Sequence, residues 1–95
     1  MENTPIKTFI TQILLYGQMG LTDAQFIAFR IKSLELARKA HQMGSLIKGL
    51  TWLRDELLAD GGPGRASFSG DRFDDFESAI QKEFVERSLE LEERK

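Results

Sequence analysis

The sequence predicts an all-α protein. It reads as a small bundle of three helices, four if the central one breaks, with that long central helix completed by homodimerisation. Two observations carry this reading. Apolar residues recur at three- and four-residue spacing through most of the chain, and helix start and stop signals flank those stretches. No alternation of apolar and polar residues runs long enough for a strand, and no segment repeats.

The first helix is expected at about residues 5–17. Thr4 suits the cap, and Pro5 suits the first helical position, where its missing N–H costs nothing. Ile6, Phe9, Ile10, Ile13 and Leu14 form one apolar stripe, and Gly17 and Gly20 mark the end.

The second helix begins with a capping box, Thr22 and Gln25, inside a hydrophobic staple of Leu21 and Phe26. Asp23 adds negative charge to the first turn, where the helix dipole favours it. Phe29, Leu36, Met43, Leu50 and Leu57 then recur every seven residues, which argues for one helix over about residues 23–59. Gly44-Ser45 is where that helix would kink or break, and Gly44 and Gly49 each cost about 1 kcal/mol in a helix interior.

Residues 60–70, starting Asp60-Gly61-Gly62-Pro63-Gly64, read as a flexible linker. A last helix is expected at about 72–91. Asp74 and Asp75 lie in its first turn, and Phe73, Phe76, Ile80, Phe84 and Leu91 fall at helical spacing. The whole chain of 95 residues is expected to form one domain.

Composition narrows the function classes. The net charge of −2 gives no electrostatic reason to expect nucleic acid or an anionic membrane. Without cysteine there is neither a disulfide framework nor thiolate chemistry. Residues 1–5 lack the basic start of a secretion signal, and no run nears the roughly 20 apolar residues that span a bilayer, so the cytoplasm is the expected location.

No catalytic, cofactor or metal site is expected. The sole histidine, His41, has no carboxylate one helical turn away. Asp71, Asp74, Asp75 and Glu77 lack the ligand spacing of a calcium loop and read as first-turn acids. Gly61 to Arg65 lacks the strand before it and the Lys-Ser/Thr ending of a phosphate-binding loop.

A degenerate helix-turn-helix at about 37–55 is the alternative functional reading. Ala40, Gly44, Leu50 and Leu53 have suitable spacing, and Lys48, Thr51 and Arg54 would face DNA. Ser45 and Lys39 fit that pattern poorly, and Asp55 and Glu56 would place negative charge on the reading helix.

The leading expectation is a non-enzymatic regulator or adaptor that binds another protein. It would act as an anti-activator or inhibitor occluding an interface, or as a secretion-type chaperone. The central helix is apolar on more than one face, and a helix of about 55 Å outruns its neighbours. Phe29, Leu36, Ala40, Met43, Ile47 and Leu50 are the expected dimer seam. A second stripe, Ala24, Ile27, Ile31 and Leu34, is displaced around the helix. Trp52, Phe73, Phe76, Ile80 and Phe84 are the expected anchors for a protein partner.

Overall fold

A computed structural model describes residues 4–93. Among these residues every regular element is a helix: α1 (Thr4–Gly20), α2 (Asp23–His41), α3 (Leu46–Leu58), α4 (Pro63–Ser67) and α5 (Asp71–Glu93). The all-α expectation holds. The cap expected at Thr4 falls on a side chain outside the described set.

α1 runs three residues past its expected end. Gly17 does not stop it, because the helix backs onto the Phe29 ring there, and a Cβ on Gly17 would lie 2.7 Å from that ring. Ile6, Phe9, Ile10 and Ile13 turn inward and are buried.

α2 starts as its sequence dictates. The Gln25 backbone N–H donates to Thr22 Oγ1 at 3.3 Å, and the Thr22 N–H donates to Gln25 Oε1 at 3.1 Å. Leu21 and Phe26 lie half-buried against the core on either side of this box.

The single long helix over 23–59 is not what forms. α2 ends at His41 and α3 begins at Leu46, with Gly44 in the left-handed region at φ +80°. Only glycine adopts that conformation without a side-chain penalty, so the chain turns there. Ser45 then caps α3 by accepting the Lys48 N–H at 3.3 Å.

The two helices meet closely where Ala40 faces Gly49. A Cβ on Gly49 would overlap the Ala40 carbonyl oxygen and reach within 3.2 Å of Ile6. Small residues let the backbones touch, and the helices cross instead of continuing in line.

The expected linker is also structured. Pro63 occupies the first turn of α4, where its missing N–H is harmless, and Phe68 follows directly into the core. The Phe68 ring stacks on Phe76 at 4.7 Å and meets Phe29 edge-on at 5.9 Å. Tyr16 packs against both Phe68 and Phe76 at 5.9 Å. Four segments of the chain thus converge on one aromatic cluster. A linker that releases the last helix is incompatible with this packing.

The radius of gyration is 12.7 Å, close to the ~12–13 Å expected for a single compact domain of this length. α2 packs against α1, α3 and α4, while α5 packs against α1, α3 and α4 on the other side. The described helices therefore enclose a core of their own.

Candidate protein-binding surfaces

The expected seam divides once α2 and α3 fold back on each other. Phe29, Ala40 and Leu50 are buried in the core, and Leu36 is half-buried against it. Phe29, Ala40 and Leu50 are thus packed within the chain itself, and Leu36 lies at the margin of that core. Met43 and Ile47 do reach the surface, at 41% and 45% exposure.

The expected partner anchors divide in the same way. Phe73, Phe76 and Ile80 are core residues, so their helical stripe is the inner face of α5 and offers nothing to a partner. Trp52 and Phe84 are half-buried at the margin of the core. The large aromatic residues that made this stripe look like a binding face are held by one another.

What remains outside falls into distinct patches. At the α2–α3 corner, Met43, Ile47, Lys48, Thr51, Trp52 and Asp55 line an open depression. One cation and one carboxylate leave it electrically balanced, and its floor is apolar. On α2, the stripe of Ala24, Ile27, Ile31 and Leu34 faces away from the core, with Ile27 59% and Ile31 53% exposed. On α1, Leu15 and Met19 border a further depression shared with Ala79, Lys82 and Glu83 of α5.

The residues proposed to read DNA are placed unevenly. Lys48 is exposed on α3 and Thr51 is half-buried, while Arg30, Lys32, Arg38 and Lys39, which suit phosphates and not base edges, are exposed along α2. Arg54 is already engaged: its guanidinium sits 2.8 Å from Asp55 and 4.3 Å above the Phe84 ring. An arginine fixed by a carboxylate and an aromatic face has few donors left for a base edge.

Chemistry-bearing groups are sparse. His41 is exposed beside the end of α2. Asp71, Asp74, Asp75 and Glu77 are all exposed, and among the described residues no three His, Cys, Asp or Glu are placed to hold a metal ion. Burial pushes the Tyr16 hydroxyl above the ordinary tyrosine range; the nearby Asp75 carboxylate adds to that rise, and Arg72 opposes it. This tyrosine is therefore neutral at physiological pH and serves the aromatic cluster. Arg65 lies over the Phe73 ring at 4.0 Å and 3.8 Å from Asp60, and Gly61 and Gly62 of the same segment line a crevice between α2 and α4.

Sequence reasoning missed two structural residues, Phe68 and Pro63. The available signal was a lone aromatic residue in a stretch otherwise made of breakers, with proline placed to open a helical turn. Among the described residues no helix is long and apolar enough to cross a membrane. No protein-family model, no curated protein and no solved structure matches this chain.

Proposed function

We propose that the chain is a small non-enzymatic regulator or adaptor that works by binding another protein at the α2–α3 corner. The observation that carries this reading is the depression lined by Met43, Ile47, Thr51 and Trp52. It combines a half-buried tryptophan and Ile47, both on α3, with the flexible Met43 of the α2–α3 turn. Tryptophan is enriched among binding hot spots, and methionine adapts its shape to a partner. A helix laid into this depression would be gripped through its own apolar residues. Such an adaptor would act in the cytoplasm as an anti-activator or inhibitor that occludes an interface, or as a secretion-type chaperone.

The test is affinity purification from the native cell with the wild-type chain and an Ile47→Glu, Trp52→Ala double variant as baits. A protein recovered at near-stoichiometric yield by the first and lost by the second supports the proposal. Equal recovery by both baits refutes the corner as the binding site. Circular dichroism of the variant establishes that the fold is unchanged.

A second reading is kept for one observation. The left-handed turn at Gly44 and the Ser45 cap create a helix–turn–helix connection, with Lys48 exposed on the second helix. DNA binding through α3 would appear in a gel shift at low salt and weaken with Lys48→Ala. The engagement of Arg54 and the balanced charge of the corner favour the protein-binding reading.

A further inference from the structure

The outer face of α2 has no role in the fold. Ala24, Ile27, Ile31, Leu34 and Arg38 follow one another at alternating three- and four-residue steps, the spacing of a coiled-coil seam. α1, α3 and α4 all pack against this helix, whose buried residues Phe29, Ser33, Ala37 and Ala40 lie on the opposite face. Four of these five residues are exposed, and Leu34 is half-buried. This stripe, about 21 Å over the 15 residues from Ala24 to Arg38, faces solvent on a helix with three neighbours already in place.

We propose that this face pairs with the same face of a second copy, α2 against α2 in antiparallel orientation. The charge pattern names the occupant. Asp23 stands at the start of the stripe and Arg38 near its end. When two such helices run antiparallel about a two-fold axis between Arg30 and Ile31, Asp23 meets the partner's Arg38, and Ile27 meets the partner's Leu34. A parallel pair would instead set acid against acid and base against base. Self-complementarity under a two-fold axis is what a closed dimer requires. The helix dipoles also oppose one another in this arrangement.

A different contact is available between α2 and the acidic α5 of another copy, where Val85 and Leu89 are exposed. Those two helices share no contact in the fold, so a head-to-tail contact between them would grow beyond a dimer, into a ring or an open chain. The α2–α2 seam closes on itself. Arg30 lies at the edge of the stripe and would approach its own copy near the axis, and one helix pair is a small interface. The dimer should therefore be weak, with a Kd in about the micromolar range. The inference does not depend on what binds the α2–α3 corner.

The test is sedimentation equilibrium of the full chain from about 5 to about 500 µM. The expected result is a mass rising from the monomer value of 10.8 kDa to twice that, with no larger species. Ile31→Glu places a charge on an exposed position, leaves the helical signal unchanged and weakens the dimer at least about tenfold. Asp23→Arg and Arg38→Asp each weaken it, and combining both restores it, since the reversed pair is again complementary. The two residues are 15 positions apart on one helix, so this rescue cannot arise within one chain. The chain also contains no cysteine, so Ile31→Cys is a clean reporter that cross-links to itself under mild oxidation. A monomer at every concentration overturns the proposal, as does a dimer indifferent to Ile31→Glu. Failure of the charge reversal to rescue overturns the antiparallel pairing. Open-ended growth with concentration overturns it in favour of the α2–α5 contact.

Discussion

The two ends of this core are built on opposite principles. At one end Tyr16, Phe29, Phe68 and Phe76 bring large rings from four segments of the chain into a single cluster, with centroids 4.7–5.9 Å apart. At the other, Ala40 and Gly49 bring α2 and α3 together by offering almost no side chain at all. The first end gains its stability from the area it takes out of water. The second gains little area and instead sets the crossing of two helices, which decides which face of α2 looks inward. Removing atoms should therefore damage the aromatic end, and adding atoms should damage the corner.

Phe76→Ala is the largest expected effect. The ring is fully buried and touches Tyr16, Phe29, Phe68 and Phe73, so its loss opens a cavity that four segments border at once. The expected cost is about 3–5 kcal/mol in urea denaturation. A domain of this size has only about 5–15 kcal/mol in total, so the variant should be close to unfolding at physiological temperature. A loss below about 1 kcal/mol would show that the aromatic end is not what holds the bundle.

Gly49→Val tests the other end and is expected to cost about 2–3 kcal/mol. Intrinsic propensity points the opposite way, since glycine is among the poorest helix formers. The structure reverses that sign because the obstacle is the Ala40 carbonyl oxygen, a backbone atom that cannot rotate aside. Even Gly49→Ala should destabilise. A stabilised Gly49→Ala protein would mean that the helices do not touch there, and the contrast between the two ends would fail.

How much of this was legible follows from the same contrast. Local features of the chain were readable: the Thr22/Gln25 box and the Phe73–Phe76–Ile80 spacing all appear as expected. The uncovered apolar surface on the second helix was readable too, because Ala24, Ile27, Ile31 and Leu34 cannot share a face with Phe29. What the sevenfold recurrence from Phe29 to Leu57 concealed is that both helices of a hairpin can face one core. The turn at residues 42–45 keeps the pattern in step, so periodicity survives while the helix does not. Gly49 read as a weak point in a helix, since its value depends on a neighbour 9 residues away that spacing alone does not identify. Phe73, Phe76 and Ile80 looked like a binding face for a related reason. Apolar spacing marks a face that must be covered, and for Phe73, Phe76 and Ile80 the cover is Phe68, hidden in a stretch that reads as linker.

Gly44→Ala separates conformation from packing, and its expected effect is smaller. No atom lies within 4 Å of where its Cβ would be, so no clash contributes. The cost is that of holding an ordinary residue at φ +80°, about 1–2 kcal/mol. Asparagine tolerates the left-handed region better, so Gly44→Asn should recover part of the loss. Equal losses for alanine and asparagine would point to something other than backbone strain. Thermal unfolding followed by far-ultraviolet circular dichroism distinguishes these outcomes.

The smallest effect has the opposite sign and concerns the residue between the two ends. Ser33 lies on the inner face of α2, fully buried, and its hydroxyl has no hydrogen-bond partner among the described residues. A buried hydroxyl left unpaired gives up its water without replacement, whereas alanine has nothing to desolvate and is a better helix former. Ser33→Ala should therefore raise stability by about 1 kcal/mol, read as an increase in the urea midpoint at unchanged slope. The gain is limited because removing the oxygen leaves a small void. Ser33→Val probes the space itself. If it is tolerated as well as alanine, α2 has room at its middle; if it destabilises, the close approach seen at Ala40 and Gly49 extends along the helix. A destabilised Ser33→Ala variant would show that the hydroxyl is satisfied in solution, and that the corner's tight packing gives way to a polar contact one turn before the aromatic cluster begins.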